Sequence, residues 1–180
     1  MRSASLGCFP TGRHYPGIAD LIAKAIRNVP GLIAELDAGA RWTDLPFVVI
    51  DFETTGTDPE NDRILEVGVV VFERGEVRLR EGLLVDPGVP VPEEARAVHG
   101  ITDEQLRGAP RFPEVFPRLL EMLEGRLPVA YNASFDRGFL HAEARRVPGW
   151  RGSDEAPPAL RDDVVWLDPL VWAREILKDQ

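Results

Sequence analysis

The apolar run Phe47-Val48-Val49-Ile50 ends in Asp51-Phe52-Glu53-Thr54-Thr55-Gly56, and this junction limits the fold more than any other segment of the chain. β-Branched and aromatic residues in succession predict a buried strand. Alternation along that strand puts Asp51 and Glu53 on one face and Phe52 on the other. Neighbouring carboxylates repel, and an apolar strand end solvates them poorly. A bound cation is the usual remedy, so the segment reads as half of a metal site. Thr54, Thr55 and Gly56 then break the strand with small residues that let a ligand or another backbone come close.

At 180 residues with 44% apolar side chains, the chain is long enough to bury one proper core. No apolar run reaches the roughly 20 residues of a membrane helix. Residues 1–10 lack the apolar stretch of a secretory signal. Cys8 is the only cysteine, which excludes an internal disulfide and makes a reducing, cytoplasmic setting the expectation. The formal net charge of −9 argues against a broad basic face for nucleic acid. A site that holds divalent cations, however, attracts phosphate locally whatever the net charge.

Two regions are expected: a helical N-terminal extension over residues 1–45 and a main domain over 46–180. In the extension, Ile18, Leu21, Ile22, Ala25 and Ile26 recur at helical spacing before Pro30-Gly31 interrupts them. The main domain opens with strands over 47–53, 63–73 and 76–86, joined by short turns as a meander. Short helices follow over 92–98 and 102–107, the second opened by a capping box of Thr102 and Gln105. A helix over 112–123 presents Val115, Leu119, Leu120 and Leu123 on one face. A strand over 127–131 leads into a helix over 133–146, with Asn132 expected as its cap. A strand over 164–167 and a helix from Asp168 complete the pattern. A meander followed by alternating helix and strand predicts an α/β fold, a mixed sheet with helices against it.

Asp136 is a third acidic candidate. It stands one turn into the helix after the fourth strand, a common place for functional groups in open sheets. If strands one and four are neighbours, Asp136 overhangs the end of strand one and meets Asp51 and Glu53.

Together, Val49-Ile50-Asp51-Phe52-Glu53-Thr54-Thr55-Gly56, Ile64-Leu65-Glu66-Val67-Gly68, Val98-His99-Gly100-Ile101-Thr102 and Asn132-Ala133-Ser134-Phe135-Asp136 resemble the motifs of the DEDD-type 3′–5′ exonuclease family. The resemblance runs from about Pro46 to Leu177 and is nearest to the proofreading epsilon subunit of bacterial DNA polymerase III. It implies a ribonuclease-H-like α/β fold and hydrolysis of phosphodiester bonds at DNA 3′ ends, in proofreading or repair. It also implies two divalent metals, Mg²⁺ or Mn²⁺. Two metals about 3.5–4 Å apart stabilise the attacking and leaving oxygens of an in-line displacement, and carboxylates are the hard ligands such ions take. By resemblance, Asp51 would bridge the metals, Glu53 would complete the site, and Asp136 would hold the second metal or its waters. Thr54, Thr55 and Gly56 would offer the terminal nucleotide a close backbone approach. His99 and Ile101 would contact its sugar or base, and Asn132 and Phe135 flank the third carboxylate. Glu66 either orients a ligand or is a strand residue facing solvent. The implied partners are single-stranded DNA or a DNA 3′ end, and a DNA polymerase subunit.

The sequence departs from the family pattern in one place. The family closes with a histidine, the general base, followed five positions later by a fourth metal-binding aspartate. No such pair follows Asp168. The expectation is therefore a C-terminally incomplete domain, or a degenerate member. The alternative function is a catalytically impaired module of the same fold that holds a nucleic-acid end or a polymerase.

Overall fold

Strand alternation in the 47–54 segment separates two kinds of side chain, and the core follows from that separation. In the computed structural model, residues 44–152 and 156–177 are described; the helices expected before residue 44 lie outside them. β1 (Phe47–Thr54) buries Val48, Ile50 and Phe52, whereas Asp51 between them is exposed. β2 (Ile64–Glu73) pairs antiparallel with β1, and β3 (Glu76–Leu84) antiparallel with β2. The β2–β3 turn closes through Arg74 and Gly75, both in the left-handed region at φ 54° and 77°. β4 (Leu127–Val129) lies parallel to β1 on its other side, giving the order β3-β2-β1-β4. A parallel neighbour needs a crossover, and the helices between β3 and β4 supply it.

Those helices are α1 (Glu93–His99), α2 (Asp103–Leu106) and α3 (Phe112–Leu123). The expected Thr102–Gln105 capping box opens α2: the Thr102 hydroxyl accepts the Gln105 N–H and the Gln105 amide oxygen accepts the Thr102 N–H. α3 carries Val115, Phe116, Leu119 and Leu123 into one core with Val48, Ile50 and Phe52 of β1. α4 (Ala133–Arg146) adds Phe139 and Leu140, both fully buried, to the same core. Each such side chain contributes roughly 1.5–3 kcal/mol on burial, so α4 is fixed against β1 mainly by this apolar face. A smaller cluster of Leu65, Val91, Ala95, Ile101 and Leu106 anchors α1 and α2.

Three expectations are corrected. The strand over 164–167 is a single parallel bridge, Leu167 to Val129, with Leu167 N–H donating to the Pro128 carbonyl at 2.9 Å. Residues 161–164 close a turn instead, with Val164 N–H on the Arg161 carbonyl, and Pro169 starts α5 (Pro169–Leu177) two residues after the bridge. No room is left for a longer ladder. β4 accordingly stops at Val129 rather than Tyr131. Finally, Asn132 does not cap α4 with its side chain. Its φ of 64° is left-handed, whereas a side-chain N-cap needs extended backbone.

Candidate active site

The short β4 is what opens the site. Its pairing with β1 ends at Val49–Val129, so the edge of β1 beyond that point is free on the β4 side. There the Phe52 N–H donates to Asp136 Oδ1 at 3.0 Å. Asp136 in the first turn of α4 is thereby tied between Asp51 and Glu53 in the chain of β1. Asp136 is only 2% exposed. Burial pushes its carboxyl up to about 7, the Phe52 hydrogen bond opposes the rise, and the charges of Asp51 and Asp168 add to it.

Glu53, half-buried, is also pushed up, first by burial and then by Asp51, with Glu66 adding and His99 opposing. Glu66 is the cross-strand partner of Glu53, and cross-strand neighbours of like charge repel. The register slips between Glu53 and Thr54, and this bulge turns the chain away from the sheet next to the acidic pair. Gly68 sits opposite Asp51, and a Cβ there would lie 3.3 Å from the Asp51 carbonyl oxygen.

The loop after β1 is internally bonded. Thr54 and Thr55 are buried. Thr55 Oγ1 donates to Asp62 Oδ1 at 3.0 Å and accepts the Arg63 N–H at 3.0 Å. The Asp58 N–H donates to Asp62 Oδ2 at 2.9 Å. A Cβ on Gly56 would stand 2.4 Å from Asp62 Oδ2, so the loop closes this tightly only around glycine.

His99 ends α1, where Gly100 turns left-handed at φ 76°. Its Nδ1 accepts the Ile101 N–H at 3.0 Å. The proton therefore sits on Nε2, which is buried and has no hydrogen-bond partner. The ring is a near neighbour of Glu53. Ile101 spends its side chain in the smaller core at 6% exposure. Phe135 packs on the main core, its ring 4.9 Å from that of Phe139. Asn132 is exposed, with Ser134 Oγ at 3.5 Å from its side-chain oxygen. The structure thus brings Asp51, Glu53, Asp136 and His99 into one neighbourhood, with Ile101 and Phe135 packed on the apolar clusters beside it.

One residue of the site escaped sequence reasoning. Asp168 replaces Asn132 as the cap of α4: its Oδ1 accepts the Asn132 N–H and its Oδ2 the Ala133 N–H, both at 3.1 Å. The same Oδ1 accepts the Leu170 N–H at 2.9 Å, so one carboxylate serves the first turns of both α4 and α5. An aspartate directly before Pro169 is a helix-start signal; its reach back to residue 132 has no sequence signature. His141 is occupied elsewhere: Nε2 lies 3.1 Å from the Ala159 carbonyl, Nδ1 3.6 Å from Asp162, and burial pushes its pKa down.

As a donor set, Asp51, Glu53 and Asp136 fit a divalent cation in chemistry. They are oxygen ligands, and burial together with the charge of Asp51 raises the affinity of Glu53 and Asp136 for positive charge, the condition a hard cation relieves. Among the described residues, no three His, Cys, Asp or Glu side chains stand already converged as a ligand shell.

Comparison with known proteins bears on the fold and the family. The RNase_T family model, described as exonuclease, matches residues 48–149, more than half of the chain. The PolC-type DNA polymerase III of Thermotoga maritima is 34% identical over 158 residues, covering 87% of this chain and 11% of that protein. The epsilon subunit of DNA polymerase III from Treponema pallidum is 39% identical over 97 residues, 54% of this chain and 45% of that one. The chain therefore spans about a tenth to under half of these relatives. Among solved structures, exonuclease X in complex with 5′ overhanging duplex DNA aligns with a TM-score of 0.50 at 28% identity, covering 73% of this chain and 64% of that one. Exonuclease I shares the fold at a TM-score of 0.59 and 18% identity, over 76% of this chain and 32% of that one. A ribonuclease-H-like mixed sheet, the family model across its centre and relatives among the DNA polymerase III proteins all converge: the chain belongs to the RNase_T exonuclease family.

Proposed function

We propose that residues 46–180 form a metal-dependent 3′–5′ exonuclease domain acting on DNA ends, preceded by an extension over residues 1–45. The observation that carries this reading is the Phe52–Asp136 hydrogen bond, which puts a third carboxylate beside the Asp51–Glu53 pair. Asp51, Glu53 and Asp136 would hold Mg²⁺ or Mn²⁺. When bound, such ions polarise the phosphoryl oxygen and generate a nucleophilic water.

The remaining roles fall to the chain itself. The Thr54-Thr55-Gly56 backbone would offer the terminal nucleotide its close approach, and Gly56 keeps that loop shut around Asp62, where a side chain has no room. His99 presents Nε2–H, with its tautomer fixed by the Ile101 N–H. Asp136 stays aimed because the β1 backbone and the Asp168 cap hold both ends of its helical turn. DNA as substrate and a polymerase as partner are supported by the relatives, which are DNA polymerase III proteins.

A second reading is a nucleic-acid-end or polymerase-binding module of the same fold with impaired catalysis. It is favoured by the histidines: among the described residues, His141 is engaged by Ala159 and His99 uses Nδ1 on Ile101. The two readings separate on 3′-labelled single-stranded DNA with Mn²⁺. Cleavage that Asp51→Ala abolishes supports the exonuclease; binding without cleavage supports the module.

A further inference from the structure

The loop over residues 56–62 approaches the acidic site from β1, and Asp136 approaches it from α4. Something must keep the two in register. The far end of α4 carries a device suited to that task. Arg146 Nη2 donates to the Pro59 carbonyl and to the Glu60 carbonyl, each at 2.7 Å. Its Nη1 lies 3.4 Å from Glu143 Oε1, one helical turn back. Glu143 is a buried carboxylate, 4% exposed. Burial pushes its pKa up, and the charges of Arg146 and Arg63 and the Ile64 backbone N–H oppose this.

A buried charge is retained only when paired and hydrogen-bonded. The loop's own carbonyls complete the set here. Nη2 makes both carbonyl bonds while Nη1 faces Glu143 as an ion pair without a hydrogen bond, a division that the planar fork of a guanidinium allows and an ammonium does not. The loop also packs tightly at this point: a Cβ on Gly138 of α4 would lie 3.1 Å from Pro59 Cγ. Nearby, Arg145 Nη2 meets Glu60 Oε1 at 2.6 Å, but both side chains are exposed, so that pair adds little.

We propose that Arg146, held by Glu143, is a positioning residue. It clamps the 56–62 loop to α4, so that the nucleotide-approaching backbone at Gly56 and the Asp136 carboxylate move as one body. Neither side chain touches substrate. The inference rests on the exonuclease reading for its consequence, though the clamp itself is a property of the fold.

The test compares the whole chain with Arg146→Gln, Arg146→Lys, Glu143→Gln and the double variant Glu143→Gln/Arg146→Gln. Hydrogen–deuterium exchange over 56–62 is read against β1 and β2 in the same molecule. Affinity for a single-stranded oligonucleotide and KM against kcat for its cleavage with Mn²⁺ are read alongside. Arg146→Gln is expected to speed exchange over 56–62 by about tenfold while the strands stay protected, because a local opening has been released. Oligonucleotide Kd and KM should rise by roughly tenfold with a smaller change in kcat, the pattern of lost positioning. Arg146→Lys should fall between, and the double variant should match Arg146→Gln, because Glu143 acts through Arg146. Unchanged exchange over 56–62, or acceleration equal to that of the strands, overturns the clamp. Faster loop exchange with unchanged Kd and KM overturns its positioning role. If the wild-type chain binds but does not cleave, the exonuclease reading fails, and exchange and affinity still decide the clamp.

Discussion

Asp136 Oδ1 accepts the Phe52 N–H at 3.0 Å across 84 residues of sequence. That bond fastens an acidic side chain of α4 to the strand that carries Asp51 and Glu53, and it does so in a nearly water-free place. The sign of the resulting pH effect is fixed. Asp136 is protonated up to about pH 7 in the fold but only to about 4 when unfolded. As pH rises from 4 to 7 the unfolded chain releases this proton first, so stability falls across that window and levels off above it. The contribution is on the order of 4 kcal/mol at most. Asp136→Asn should remove it: in thermal melts without divalent ions, the variant is expected to gain on the wild type steadily from pH 4 to pH 7 and to hold that gain at pH 8.

Divalent ions should act in the opposite sense to the buried charge. Binding to the native state stabilises it by mass action, and below pH 7 the ion must first displace a proton from Asp136. Mn²⁺ is expected to raise the melting temperature more at pH 8 than at pH 5.5. In Asp51→Asn, which lacks one of the three carboxylates, the rise should shrink at both pH values. Equal rises in the wild type and this variant would place the ion elsewhere.

Asp168 caps α4 and α5 with one carboxylate. Losing a side-chain cap costs about 1 kcal/mol per helix, so Asp168→Ala is expected to lower unfolding free energy by about 2 kcal/mol in urea titrations. Asn132→Ala should cost about 1 kcal/mol for a different reason: Asn132 makes no side-chain cap, but alanine is strained at its left-handed φ of 64°.

Gly56 is held in a loop whose Asp62 carboxylate is fixed by Thr55 Oγ1 and the Asp58 N–H. A methyl at 56 meets Asp62 at 2.4 Å, so the loop must open or Asp62 must leave both partners. Gly56→Ala is expected to destabilise by roughly 1–3 kcal/mol, the usual range for overpacking. The melting temperature of Gly68→Ala should fall less, since a Cβ there meets the Asp51 carbonyl at 3.3 Å.

The elements that strong periodicity marks were readable directly. Phe112–Leu123 and Ala133–Arg146 are helices with the expected ends, and β1, β2 and β3 begin and end within two residues of expectation. The meeting of Asp136 with β1 was also legible, because it needed only strands one and four to be neighbours. What local pattern could not show was competition at a distance. Asn132 has the composition of a helix cap, but a left-handed backbone and the carboxylate of Asp168, 36 residues on, take the role from it. The 164–167 segment has strand composition, but the turn at 161–164 and Pro169 leave it one bridge. Glu143 and Arg146 carry no local mark of pairing in the sequence; only the packed loop shows Glu143 buried and Arg146 half-buried against it.

The central claim is that Asp51, Glu53 and Asp136 serve one hydrolytic site that works from a DNA 3′ end. It is tested most directly by incubating the chain with single-stranded DNA labelled at the 3′ end, and in parallel at the 5′ end, with Mn²⁺. The account predicts mononucleotide as the first product from the 3′ label and a stepwise ladder from the 5′ label. Both should be abolished in Asp51→Ala and in Asp136→Ala while each variant still melts cooperatively. Cleavage that survives in a folded Asp51→Ala variant, or mononucleotide released first from the 5′ label, contradicts it.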